Sequence, residues 1–348
     1  MPRLRRIDCA RPGITRRRRG RGFEYLDVHG GRIDDLQTLQ RIKDLGIPPA
    51  WGDVWICPYD NGHLQAVGVD AAGRKQYLYH LDWRRRRDQE KFDHMIEFAR
   101  TLPKVRHLTN EQLAAKGFGR ERVLACAVRL LDRGFFRVGG ESYAEENETF
   151  GLATMRKEHV TVSDDTVVFE YVAKSKKERY LALVDPPVRE VVAALKRRRS
   201  GGDELLAYRA GKAWRDVKSM DINSYLKEVA GGDYSAKDFR TWHGTVLAAV
   251  GLAVSTEAFG TKTGRKRAVS RAIQEAAHYL GNTPAVCRKS YVDPRVIDHY
   301  ESGVTIAGVL ENLGAVEALG DPSLQGVVED AVLDLLEENG SPHIEKVS

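Results

Sequence analysis

Glu158-His-Val-Thr-Val-Ser-Asp-Asp-Thr-Val-Val-Phe-Glu-Tyr-Val-Ala-Lys174-Ser-Lys-Lys-Glu-Arg-Tyr-Leu-Ala-Leu-Val184 reads as three strands separated by polar turns. Runs rich in Val, Phe, Tyr and Leu, broken by Ser-Asp-Asp and Lys-Ser-Lys-Lys, have the period and punctuation of a small antiparallel sheet. Lys174 falls between the second and third strands, where a side chain reaches outward from a sheet. On both sides the period changes to that of helices. Helical stretches precede it at Phe92 to Leu102, Asn110 to Ala115 and Arg120 to Arg133, and follow it at Val188 to Arg199, Ile222 to Val229, Ala236 to Val254 and Lys266 to Leu280. Ser235, three residues before Asp238, is placed to cap the Ala236 helix. A last amphipathic segment runs from Leu324 to Glu338. Residues 91–348 therefore read as a mainly helical domain interrupted by one three-stranded sheet.

Upstream the pattern differs. Phe23-Glu-Tyr-Leu-Asp-Val, Val54-Trp-Ile-Cys-Pro, Leu64-Gln-Ala-Val-Gly-Val and Gln76-Tyr-Leu-Tyr are short strand-like runs divided by His29-Gly-Gly, Asp60-Asn-Gly and Ala72-Gly. One helix, Leu36 to Leu45, fits among them, so residues 23–90 read as a small β-rich domain. Asp82-Trp-Arg-Arg-Arg-Arg-Asp88 marks its boundary. Residues 1–22, with nine arginines and little to bury, read as a flexible basic arm, either solvated or lying along a polyanion. The fold class is α+β.

Composition narrows the partners. The chain has 348 residues, 42% of them hydrophobic, enough for two packed cores. Its longest apolar runs, such as Val246 to Val254, fall far short of the ~20 residues a membrane span needs, and the N-terminus lacks an apolar signal core. A cytoplasmic location is expected. The four cysteines are far apart without a CxxC pair, which points to neither zinc nor disulfides. Residues 304–348 carry nine Asp/Glu against one Lys/Arg, so the formal net charge of +6 leaves residues 1–303 at +14. A basic body with an acidic C-terminal segment favours nucleic acid as partner.

Widely separated residues suggest how that partner is handled: Arg137, Lys174, Arg240, Asn282 and, closing the run Leu280-Gly-Asn-Thr-Pro-Ala-Val-Cys-Arg-Lys-Ser-Tyr291, a tyrosine. Cleaving a phosphodiester requires neutralised non-bridging oxygens, a nucleophile and a proton for the departing oxygen. Arginine serves the first, since its planar guanidinium stays charged and can hold two oxygens. Tyrosine serves the second when assisted, because with a pKa near ~10 only about one phenol in a thousand is ionised at neutral pH. Lysine serves the third when a neighbouring cation lowers its pKa. Neither a phosphate-cradling glycine loop for ATP nor a dense carboxylate cluster for metal accompanies them, so no cofactor is expected.

In order and spacing these residues resemble the type IB DNA topoisomerases, specifically their small bacterial and poxvirus-type branch. The matching segments are Arg137-Val-Gly, Lys174 between strands, Lys237-Asp-Phe-Arg240-Thr, Gly281-Asn282-Thr-Pro, and Tyr291 nine positions beyond Asn282. Glu145-Glu-Asn-Glu-Thr-Phe-Gly-Leu-Ala-Thr154 and Gly73-Arg-Lys-Gln-Tyr-Leu-Tyr79 are likewise similar to family segments. The resemblance implies that Tyr291 forms a 3′-phosphotyrosyl link and releases a 5′-hydroxyl strand. It implies Arg137 and Arg240 on the non-bridging oxygens, Lys174 as general acid, and Asn282 as a hydrogen-bond donor where the poxviral pattern has histidine.

It further implies duplex contacts by Arg74, Lys75, Gln76, Tyr77, Tyr79, Tyr143 and Lys237, and a monomer without an obligate protein partner. Some choices stay open on the residues alone. Lys176 and Lys177 compete with Lys174, Asn282 is either a donor or a helix cap, and Thr261-Lys-Thr-Gly-Arg-Lys-Arg267 is either a mobile connection or a phosphate contact. Two other functions compete. A tyrosine recombinase shares the catalytic fold, but its usual histidine three residues before the second arginine is Lys237 here. A non-enzymatic duplex binder would make Tyr291 dispensable.

Overall fold

A computed structural model describes residues 3–141, 144, 148–255, 260–312, 322–337 and 345–346. The chain divides into two compact units, Met1–Lys91 and Phe92–Ser348.

The first unit is built on a five-stranded antiparallel sheet of β1 (Ile14–Arg19), β2 (Gly22–Leu26), β3 (Gly52–Ile56), β4 (Leu64–Val69) and β5 (Lys75–Tyr79), in the order β2-β1-β3-β4-β5. Helix α1 (Leu36–Asp44) starts where the Asp35 carboxylate accepts from the Thr38 backbone N–H at 2.8 Å. Ile42 on this helix is buried in one cluster with Ile14, Val54, Ile56 and Ala66 from the sheet.

The arginine run is not a free arm. Arg16–Arg19 lie in β1, paired with β2 from Thr15↔Leu26 to Arg19↔Gly22, and Ile14 and Thr15 pair with β3. The Arg16 guanidinium donates to the carbonyls of Pro48 (3.1 and 3.2 Å) and Trp51 (2.6 Å) and stacks on Phe23. Arg17 and Arg19 share Glu24. Backbone pairing and these local acceptors order a segment whose charge alone suggested solvation.

The division falls within a single 33-residue helix, α2 (Leu81–Leu113). Asp82–Asp88, expected to mark the boundary between domains, is its first part. Arginine, aspartate and lysine here form i,i+3 ion pairs, Arg85–Asp82, Arg87–Glu90 and Lys91–Asp88, with no Gly or Pro to stop the helix. From Phe92 onward Met95, Phe98, Ala99, Leu102 and Val105 are buried at helical spacing, and this packing carries the helix past Pro103.

The second unit adds helices α3 (Arg120–Gly134), α4 (Pro186–Arg197), α5 (Ser219–Ala230), α6 (Ala236–Ala253), α7 (Lys262–Leu280), α8 (Pro284–Ser290), α9 (Pro294–Glu301), α10 (Ala307–Asn312) and α11 (Pro322–Glu337). The expected three-stranded sheet is present as β6 (Val160–Val162), β7 (Val167–Ala173) and β8 (Lys177–Leu183), antiparallel in the order β6-β7-β8. A hairpin not expected from the sequence, β9 (Ala207–Ala210) with β10 (Ala213–Asp216), lies between α4 and α5. The basic stretch 261–267 is no loop. Thr261 caps α7 by accepting from the Gly264 N–H at 2.9 Å, and the helix runs on from Lys262. Among the described residues no helix is long and apolar enough to cross a membrane.

Candidate active site

Arg137 follows α3, whose end is set by Phe135 in the left-handed region (φ 54°). Phe136 then turns inward against Phe169 and Tyr171 of β7. The Arg137 and Val138 carbonyls accept from the N–H groups of Leu152 (2.8 Å) and Ala153 (2.7 Å). Here Gly139 and Gly151 pass so closely that a Cβ on Gly151 would lie 2.5 Å from the Gly139 backbone. The Arg137 backbone is thereby fixed, and its guanidinium donates to Asn282 Oδ1.

Arg240 sits in the second turn of α6. The start of that helix is fixed by the Ser235 N–H and hydroxyl donating to Asp238 Oδ2 (2.8 and 3.0 Å) and by Asn223 Oδ1 accepting from the Ala236 N–H. The arginine is 4% exposed. Its Nη1 donates to the Phe135 carbonyl at 2.9 Å and its Nη2 to the Leu280 carbonyl at 2.7 Å, the latter one of the C-terminal helix carbonyls left without an intrahelical partner. Burial and the charge of Arg137 push its pKa down to about 10, so it remains a cation at neutral pH.

Tyr291 ends α8, its N–H donating to the Cys287 carbonyl at 2.9 Å, and its ring lies 5.1 Å from the Arg240 guanidinium carbon. Burial raises the phenol's pKa, but the nearby charges of Arg240, then of Arg137, outweigh it and leave it below the ordinary tyrosine value. Asn282 occupies the turn between Gly281 (φ 63°), which caps α7, and Thr283, which caps α8 by accepting from the Val286 N–H. The cap is therefore Thr283, and the Asn282 side chain is used on Arg137. Asn282 Nδ2 is buried without a hydrogen-bond partner among the described residues.

Lys174 lies at the β7–β8 turn, where Ser175 (φ 67°) and Lys176 (φ 54°) are both left-handed. Lys177, paired with Ala173 across the hairpin, donates to the Asn282 carbonyl at 3.0 Å. Lys174, not Lys177, lines a cavity of about 410 Å³ together with Arg137, Lys237, Arg240, Tyr291 and Thr149. Thr149 is a residue the sequence did not single out, although it stands in the quoted Glu145–Thr154 stretch. It is 5% exposed, and its hydroxyl has no partner among the described residues. Tyr143 lies outside the described residues.

In the first unit β5 alternates. Lys75, Tyr77 and Tyr79 are exposed, with the two tyrosine rings stacked 6.2 Å apart. Gln76 points to the opposite face, where its Nε2 and the Arg74 Nε each donate to Asp70 Oδ2 at 2.9 Å. Hydrogen bonds led by Arg74 hold the Asp70 pKa at about 2. Arg74 and Gln76 thus share one acid, and the two tyrosines with Lys75 form the open face.

A helical body with a small three-stranded sheet, and a cavity in which cations surround one tyrosine, are consistent with a catalytic domain of the topoisomerase IB fold. Residues 80–307 match the family described as eukaryotic DNA topoisomerase I, catalytic core, and residues 22–70 match the bacterial DNA topoisomerase IB N-terminal domain. The chain is 28% identical to DNA topoisomerase 1B of Acanthamoeba polyphaga mimivirus over 83% of its own length and 88% of the relative's. It is 21% identical to DNA topoisomerase 1B of vaccinia virus (strain Copenhagen) and to DNA topoisomerase I of monkeypox virus, covering 76% of this chain and 82% of each relative. The chain belongs to the type IB DNA topoisomerase family.

Proposed function

We propose that this protein relaxes positive and negative supercoils in duplex DNA by transient cleavage of one strand at Tyr291. The phenolate oxygen attacks phosphorus to form a 3′-phosphotyrosyl ester, the bond from phosphorus to the 5′ oxygen breaks, and that oxygen takes a proton from Lys174. Arg137 and Arg240 hold the non-bridging oxygens as charge builds, and Asn282 adds a neutral donor. Religation reverses each step. Because the ester conserves the phosphodiester's free energy, superhelical strain drives turnover and ATP is not consumed.

The reading is carried by one observation, the convergence of Arg137, Lys174, Arg240 and Tyr291 on a single cavity from four separated stretches of chain. The lowered phenol pKa supports it, because the cations that depress it are those assigned to the phosphate. Lys237 on the same cavity and the β5 segment, Arg74, Lys75, Gln76, Tyr77 and Tyr79, are the proposed duplex contacts, with Tyr143 as a further one. We take the protein to be a monomer of the bacterial-type branch acting in the cytoplasm on the nucleoid; the bacterial-type N-terminal match supports the branch. The test is relaxation of a supercoiled plasmid without ATP and with EDTA. Wild type should relax both signs of supercoil and Tyr291→Phe neither, while retaining duplex binding. A folded, DNA-binding wild type that relaxes nothing refutes the proposal.

A further inference from the structure

Cationic side chains from elsewhere reach the C-terminal carbonyls of α7, beside the backbone N–H groups of Gly281 and Asn282, which bond the His278 and Ala277 carbonyls. Helix ends leave their last carbonyls without intrahelical partners and carry a partial negative charge that favours cations. Here Arg240 takes the Leu280 carbonyl. Two more cationic donors come from β8. Arg179 Nη1 donates to the His278 carbonyl at 3.0 Å and Nη2 to the Tyr279 carbonyl at 2.7 Å, and Lys177 Nζ donates to the Asn282 carbonyl at 3.0 Å. Gly281 lets the guanidinium sit close, since a Cβ there would lie 3.3 Å from Arg179 atoms.

β8 is one of the two edge strands of its sheet, and the turn at its start has two consecutive non-glycine residues in left-handed conformation. Such a turn is unfavourable by itself and persists where its surroundings over-determine it. Lys177 and Arg179 supply that anchoring, three and five residues after Lys174, and they tie the hairpin to the turn that carries Asn282. With both Arg179 terminal nitrogens and the Lys177 amine directed at backbone carbonyls, these cations serve the protein's own geometry.

We infer that Lys177 and Arg179 are positioning residues: they latch the Lys174 hairpin onto the α7–α8 turn and so set the reach of the proton donor to the departing 5′ oxygen. This rests on the general-acid role proposed for Lys174. Displacing a reacting group by about 1 Å can cost on the order of 10²-fold in rate, and that is the loss expected in single-turnover cleavage for Arg179→Ala. Arg179→Lys keeps the charge but cannot span two carbonyls, so it should recover only part of it. Lys177→Met should show a smaller loss of the same kind.

The experiment compares duplexes whose scissile phosphate carries either oxygen or sulfur at the 5′-bridging position. With sulfur, the phosphorus–sulfur bond breaks and a thiolate leaves without needing a proton, its conjugate acid having a pKa near ~8.5. Lys174→Met should be slow with oxygen, by about 10²–10⁴-fold, and restored with sulfur. Arg179→Ala and Lys177→Met should follow the same pattern, which also shows that they are folded. If Lys174→Met is restored but the latch variants stay equally slow on both substrates, or are slow on neither, the positioning inference is overturned. If Lys174→Met itself is not restored, the general-acid reading fails and the latch inference falls with it. Weakened duplex binding by Arg179→Ala without a change in leaving-group dependence would make Arg179 a phosphate contact and overturn the inference.

Discussion

Arg106 offers the sharpest test of how the catalytic unit is held together. Its guanidinium, on α2, donates to Asp132 of α3 through Nε and Nη2 (2.8 and 2.9 Å) and to Glu329 of α11 through Nη1 and Nη2 (2.6 and 2.9 Å). The three side chains are 19%, 5% and 7% exposed. On its other side Asp132 lies 3.6 Å from His243 Nε2, three residues beyond Arg240 on α6. Arg106→Met would strand two buried carboxylates without their cation. Breaking a buried pair by removing one partner costs about 3–5 kcal/mol, and at ~2–4 °C per kcal/mol for a unit of this size the melting temperature should fall by roughly 6–20 °C. Replacing Arg106, Asp132 and Glu329 together by apolar residues should recover much of that loss, because no charge is then left buried.

The pH dependence of the same network follows from Asp132. Burial raises its carboxyl pKa, but hydrogen bonding and charge from Arg106, with His243 nearby, outweigh this and hold it well below the ordinary carboxylate range. A folded-state pKa below the unfolded value of ~3.9 gives stability that is complete above that pH and is lost as pH falls further. Wild type should therefore lose stability below about pH 4 through this group, and Arg106→Met should lose less there, having less to lose. Urea and thermal unfolding followed by tryptophan fluorescence read both effects, with fully buried Trp242 of α6 as a reporter. A loss under about 1 kcal/mol for Arg106→Met, or a triple apolar variant no better than the single one, would show that this cluster does not hold the three helices together.

Gly244→Ala should cripple cleavage by a steric route, since its Cβ would lie 2.5 Å from the Tyr291 carbonyl oxygen and 3.0 Å from the Tyr291 Cβ. Overpacking of this kind costs about 1–3 kcal/mol and the displaced nucleophile about 10²-fold in single-turnover cleavage; wild-type cleavage would contradict the prediction. A second prediction concerns pH. Because Arg240 and Arg137 hold the Tyr291 phenol below its ordinary pKa, the cleavage rate should climb with pH and level off below the usual tyrosine range. Arg137→Ala should move that rise to higher pH, and an unmoved profile would count against the coupling.

Much of the fold was legible because its signals are local. The strands around Lys174 announce themselves by β-branched and aromatic runs between polar turns, and β7 and β8 fall within a residue of the expected stretches. What the sequence hid depended on distant partners. Arg16–Arg19 look solvated until Glu24 and the carbonyls of Pro48 and Trp51 are brought to them. The stretch 261–267 reads as a mobile connection or a phosphate contact, yet the Gly264 N–H within it is what the Thr261 cap accepts from. On the residues alone Lys176 and Lys177 compete with Lys174, which only the family resemblance favours. Hairpin register separates Lys177 from Lys174, sending Lys177 to a carbonyl and Lys174 to the cavity.

The same dependence on partners explains why the candidate site forms at a helix C-terminus, the end that attracts cations rather than anions. The carbonyls closing α7 gather and orient arginines, and two of Arg240's nitrogens are committed to carbonyls. Its Nε, like Asn282 Nδ2, is a buried donor with no acceptor among the described residues. A buried donor left unpaired costs about 1–3 kcal/mol, so neither group is arranged for the stability of the free protein. On the proposed reading that cost is recovered when phosphate oxygens accept from them, and recovered most fully as charge builds in the transition state, where donors fixed in advance need no reorganisation. Binding of a phosphodiester duplex should accordingly raise the melting temperature of wild type more than that of Asn282→Ala. Equal shifts would mean that Asn282 Nδ2 does not engage the phosphate.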